Sequence, residues 1–141
     1  MIDFSDSKIK HLEMTQAIIS RMSQNSFSLK GWTITLVAGI FALAAKDANL
    51  SFFLISYVPI ILFWFLDSYY LQMERKYRAL YGHLITNKKA ETDFNLKPPK
   101  ADWKEKTCYV QSLISITEVP FYCVLAVLVA IVICIIQKGV C

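Results

Sequence analysis

Three long stretches without a charged residue constrain this chain more than any other feature. Val119 to Ile136 runs 18 residues, Leu50 to Leu66 runs 17, and Gly31 to Ala45 runs 15. A helix needs about 20 apolar residues to cross a bilayer core. The third stretch is Val, Leu and Ile through most of its second half and meets that need most clearly. The first covers only about 22 Å at 1.5 Å per residue. A span over 27–45 therefore requires Lys30 to snorkel or the helix to sit short. The expected fold class is an all-α integral membrane protein with three transmembrane helices and cytoplasmic helical extensions. If the first stretch only dips into the bilayer, two true spans remain and the C-terminus changes side.

Charge sets the orientation. Hydrophobic residues are 55% of the 141, above the usual 45–50%, and the excess lies in these three blocks. Glu74 to Lys106 holds nine Lys or Arg, and the segment up to Lys30 holds four; Lys46 and Lys138 are the remaining two. Basic loops stay in the cytoplasm, so the N-terminus and the long loop are placed inside and the C-terminus outside. Trp32, Trp64, Tyr69, Tyr70, Trp103, Phe121 and Tyr122 fall near the same inner surface, as an aromatic belt should. The polar start is not a secretory signal, and neither end carries a lipidation box.

One domain, 1–141, is expected. Ser5, Asp6 and Ser7 offer caps for a cytoplasmic helix over 8–24, with Ile9, Leu12 and Ile19 on one face. The first span covers 27–45, and Lys46 to Asn49 is too short for anything but a tight hairpin. The second span, 50–67, continues as a cytoplasmic helix to about 85. Along it Phe63, Leu66, Tyr70, Met73, Tyr77, Leu80 and Leu84 alternate spacings of three and four, a heptad seam. That seam projects roughly 25–30 Å from the membrane and must meet a partner. The partner is either the N-terminal helix of the same chain, antiparallel to it, or the same helix in a neighbouring subunit of a homo-oligomer. A basic loop and interfacial helix fill 86–118. Within it Pro98 and Pro99 forbid helix, and an amphipathic helix over Trp103 to Thr117 puts Tyr109, Leu113 and Ile116 on one side. Pro120 kinks or restarts the third span, 119–136.

No glycine-rich phosphate loop, nucleophile elbow or metal-ligand spacing occurs, so neither an enzyme nor a cofactor is expected. His11 and His83 read as solvated face residues. Asp67 and Glu118 are the informative charges. Both fall at the inner edge of the hydrocarbon, where a carboxylate is costly and faces a partner or water. They either pair with Lys30 or a loop base, or ring the cytoplasmic mouth of an oligomeric pore. Ala38, Gly39, Ala42 and Ala45 form a small-residue stripe suited to packing on the second span. Cys123, Cys134 and Cys141 share one helical face and read as small hydrophobes. Lys88, Lys89, Lys97 and Lys100, with Lys104 and Lys106, offer contact to anionic lipid or to a nucleic-acid backbone.

The runs Lys30 to Lys46 and Phe63 to Arg75 resemble small bacterial membrane effectors of anti-phage defence systems. These are helical-hairpin proteins associated with retrons or with nucleotide second messengers. The resemblance covers roughly residues 8 to 125, and the third span departs from a two-span pattern. It implies a bacterial inner-membrane location and a toxin-like function. Such an effector would be held inactive by a complex with a reverse transcriptase and its nucleic acid, and would depolarise the membrane when released. The competing reading is a structural or regulatory subunit of a larger membrane complex.

Overall fold

The computed structural model describes residues 6–47, 50–86, 96–97 and 108–139. Five helices account for nearly all of them: α1 (Asp6–Asp47), α2 (Leu50–Ile55), α3 (Tyr57–Thr86), α4 (Tyr109–Leu113) and α5 (Val119–Gly139). No strand occurs among the described residues. Three helical stretches are long and apolar enough to cross a membrane: Asp6–Ala44, Phe53–Thr86 and Val119–Lys138.

The helix expected over 8–24 and the span expected from 27 run together without interruption. Residues 6–47 form one helix of 42 residues, about 63 Å long at 1.5 Å per residue. That is twice a bilayer core, so α1 continues well beyond it. Its buried face is one unbroken stripe: Lys8, His11, Thr15, Ile19, Ser26, Leu29, Thr33, Val37 and Ala44. From Lys8 to Ala44 these positions keep the 3.6-residue helical period. Thr15 and Thr33 donate to the carbonyls of His11 and Leu29 one turn back, at 2.9 and 2.7 Å. Their hydroxyls are thereby satisfied, and the short side chains let α3 come close. Ile9, expected on the packed face, is 42% exposed.

The second helix is broken where continuity was expected. Pro59 has no N–H to give the Ile55 carbonyl, and its ring crowds that carbonyl. α2 therefore ends at Ile55, Ser56 turns with its N–H on the Phe53 carbonyl at 3.2 Å, and α3 starts at Tyr57. Pro59 then sits in the first turn of α3, where a missing N–H costs nothing.

α1 packs along α3 more extensively than any other pair of helices. The seam on α3 thus meets α1 of the same chain. Leu80 and Leu84 are buried there, Phe63, Tyr70, Met73 and Tyr77 are half-buried, and Leu66 lies off the contact, exposed. The register is antiparallel and regular: Lys30 faces Asp67, and seven residues on, Val37 joins Ile60 in the core. Val129, seven residues after Tyr122, belongs to the same core.

The interfacial helix expected over Trp103 to Thr117 is reduced to α4, five residues long, with residues 103–107 outside the described set. Pro120 explains the interruption. It cannot donate to the Ile116 carbonyl, so no helix runs through this segment into α5. The chain turns instead through Ser115 to Glu118 and restarts at Val119. The buried residues here are Ser112, Ser115 and Glu118, whereas Ile116 is 88% exposed.

Burial is inverted relative to a water-soluble protein. Ser26, Thr33, Ser56, Asp67, Ser68 and Glu118 lie inside, while Val58, Ile61, Leu62 and Phe65 on α3, and Val124, Val127, Leu128 and Ile131 on α5, lie outside. A contiguous apolar exterior of this kind suits lipid rather than water. The small-residue stripe also faces outward as far as its side chains are described, which leaves out Ala45. Ala38, Gly39 and Ala42 are exposed, and no atom beyond their own helix lies within 4 Å of a Cβ built on Gly39. Its expected packing on the second span does not occur, because the α1 face carrying Thr33, Val37 and Ala44 takes that contact.

Candidate functional site

A buried charge cluster joins all three spanning helices at one level. Lys30 on α1 reaches both carboxylates that the sequence singled out. Its Nζ donates to Asp67 Oδ2 on α3, and to Glu118 Oε1 at 3.0 Å and Oε2 at 3.2 Å. Ser26 Oγ, one turn earlier on α1, accepts from the same Nζ at 3.1 Å. Tyr122 Oη, one turn after Glu118 on α5, donates to Asp67 Oδ2 at 3.0 Å. Asp67 and Glu118 are essentially without exposure, and the Lys30 side chain is 20% exposed. The Phe121 ring lies 5.9 Å from Nζ, within cation–π reach.

Local sequence accounts for this convergence. Asp67 lies seven residues, two helical turns, from the core residue Ile60, so it shares the buried face of α3. Glu118 and Tyr122 are four apart and project to the same side of the α5 start. Lys30 is the last charged residue of α1 before the uncharged stretch, one position from the buried stripe through Leu29 and Thr33. Taking charges out of water costs several kcal/mol per ion unless each is paired and hydrogen-bonded. All three charges here are paired, and only Asp67 Oδ1 is left without a partner.

A second set of bonds fastens the segment before α5 to α3. Trp64 Nε1 donates to the Leu113 carbonyl at 3.2 Å, and Tyr109 Oη to the Phe65 carbonyl at 3.0 Å. Arg75 donates to Ser115 Oγ at 2.8 Å, to the Gln111 carbonyl at 3.3 Å and to Ser112 Oγ at 3.4 Å. Together these hold Glu118 against Lys30. Deeper along the bundle, Tyr57 Oη donates to the Ala126 carbonyl at 3.2 Å.

Of the expected site residues, Asp67 and Glu118 meet on Lys30, which is the paired arrangement of the two the sequence allowed. Tyr70, Met73, Tyr77, Leu80 and Leu84 lie elsewhere, along the α1 contact. Lys97 is exposed, and Lys88, Lys89 and Lys100 lie outside the described residues. No group of three or more metal-ligating side chains occurs among the described residues. Sequence reasoning took Tyr122 only for a belt residue and passed over Ser26, Arg75, Ser112 and Ser115. The usable signal was the four-residue spacing from Glu118 to Tyr122, together with a lone lysine inside a span.

The helices and the cluster define an all-α membrane protein with three spanning helices. Comparison with protein families, with curated proteins and with solved structures finds no match.

Proposed function

We propose that this chain is a membrane-disrupting effector of a bacterial anti-phage abortive-infection system, resident in the inner membrane with its N-terminus in the cytoplasm. When activated it depolarises the membrane. The observation that carries this reading is the buried Lys30–Asp67–Glu118 cluster at the junction of all three spans. Ionisable groups at membrane depth are expensive and mark ion paths or gates. While the helices are together the charges satisfy one another and the barrier is sealed. If the helices part, the same charges need water and would line a polar path between the spans. The paired segments of α1 and α3 beyond the spans would then receive the activating or restraining partner. The resemblance makes that partner a reverse transcriptase with its nucleic acid, met with help from Lys88, Lys89, Lys97 and Lys100.

One observation favours the alternative of a regulatory subunit in a larger complex. An open cleft of about 380 Å³ lies between Ile9, Leu12, Glu13 and Gln16 of α1 and Tyr81 of α3. Apolar residues half-exposed outside the spans suit a permanent neighbour.

Inducible expression in a bacterium carrying a voltage-sensitive dye separates the two. Rapid depolarisation with growth arrest is expected from the wild type with its neighbouring genes once phage infection releases it. Asp67→Asn, which removes one charge at nearly constant shape, is expected to change the rate several-fold. A normal potential throughout infection, with abundant protein in the membrane and those genes present, would sink the effector reading and leave the subunit reading.

A further inference from the structure

The protons of Lys30, Tyr122, Thr33 and Ser68 around Asp67 are committed elsewhere than to its Oδ1, and that one acceptor is left over. A lysine ammonium has three protons and a tyrosine hydroxyl one. The three on Lys30 go to Ser26 Oγ, Asp67 Oδ2 and the Glu118 carboxylate. The one on Tyr122 goes to Asp67 Oδ2. The Thr33 and Ser68 hydroxyl protons go to the Leu29 and Trp64 carbonyls. Asp67 Oδ1, wholly buried, faces none of them and has no partner. An unsatisfied buried acceptor costs about 1–3 kcal/mol, more when charged.

The charges tell the same story. Lys30 contributes +1, Asp67 −1 and Glu118 −1, so the ionised cluster carries −1 with both carboxylates buried. The groups that could offset it are few. α1 presents Lys30 only, α3 presents Asp67 itself, and α5 presents Tyr122, whose proton is already given. Arg75 lies two turns farther along α3 and spends its donors on Gln111, Ser112 and Ser115. Glu118 is the one remaining group that becomes a donor by taking up a proton, and its carboxyl shares the Lys30 ammonium with Asp67.

We propose that Asp67 and Glu118 share one proton, carried on Glu118 and donated to Asp67 Oδ1, so that the cluster is a proton-binding site. The nearer oxygen, Glu118 Oε1, keeps its bond from Lys30, and Oε2 carries the proton. Lys30 is then balanced by a single negative charge, and the leftover acceptor is satisfied. Two carboxyl groups held around one site commonly behave in this way, since both cannot ionise side by side without cost. The inference concerns the assembled bundle and stands apart from whether the chain permeabilises membranes.

Infrared difference spectroscopy on the full chain in lipid nanodiscs at neutral pH tests it. Free carboxyl groups titrate near about 4, so the chain's exposed acids give only carboxylate bands there. A protonated-carboxyl stretching band is expected from the wild type, shifting in deuterium oxide. The band is expected to vanish in both Glu118→Gln and Asp67→Asn, with helix content checked by circular dichroism. No such band in the wild type would overturn the proposal, as a bound sodium ion balancing two ionised carboxylates would produce. A band persisting in both variants would also overturn it. The wild-type spectrum decides the matter even if a variant fails to fold.

Discussion

Lys30 and Glu118 stand 88 residues apart in sequence and 3.0 Å apart between Nζ and Oε1. With Asp67 on the same ammonium, one cation holds α1, α3 and the start of α5 together. The bond is long-range in sequence and local in space, and the turn at Ser115 to Glu118 brings its acidic end into reach. Four predictions test what this arrangement contributes.

Lys30→Met removes the shared cation and leaves the buried Asp67 and Glu118 without it. Stripping one partner from a buried ion pair costs about 3–5 kcal/mol. Thermal unfolding in detergent micelles should show a loss of that order. The triple variant Lys30→Met, Asp67→Asn, Glu118→Gln should recover much of it, because no uncompensated charge remains. Equal loss in the single and triple variants would show that packing, not charge pairing, dominates the site.

Tyr122→Phe removes the hydroxyl that donates to Asp67 Oδ2. A hydrogen bond to a charged group contributes about 1.5–3 kcal/mol, against about 0.5–1.5 for a neutral one. Tyr57→Phe, which loses a neutral bond to the Ala126 carbonyl, should therefore cost less. Denaturant unfolding of the two variants side by side gives the ordering, and the reverse ordering would refute it.

Ser56→Ala should be neutral or stabilising by about 1 kcal/mol. The Ser56 hydroxyl is fully buried and has no partner, so deleting it relieves a desolvation penalty rather than breaking a bond. The same unfolding measurement checks it, and a clear loss of stability would reveal a bound water or ion on that hydroxyl.

Thiol labelling checks depth and orientation. Cys108 is exposed before α4, while Cys123 and Cys134 are exposed on the outer flank of α5. In a Cys141→Ser background, a membrane-impermeant maleimide should label Cys108 in inverted vesicles but not in intact cells. Cys123 and Cys134 should stay unlabelled in both, shielded by lipid. Labelling of Cys108 from outside intact cells would reverse the orientation.

The sequence by itself determined that the chain is helical and spans a membrane. Uncharged runs long enough to cross a bilayer have few other solutions, because every backbone polar group must then be paired within the helix. It also marked Asp67 and Glu118, since a charge interrupting such a run needs a reason. Pro120 likewise marked a helix break, whereas the break before Pro59 was passed over, although each removes a backbone donor at a fixed place.

Only the tertiary structure decided which face of α1 is inside. Apolar residues lie on every side of that helix, so hydrophobic period alone could not choose Thr15, Ser26 and Thr33 over Ile9 or the Ala38–Ala42 stripe. In lipid, apolar contact is available to any face, and close approach with satisfied hydroxyls settles the choice. The tertiary structure also decided that the α3 seam meets α1 of its own chain, and that one lysine serves two carboxylates. Those pairings depend on how three helices are set against one another, and that long-range geometry is not written in the spacing of any one of them.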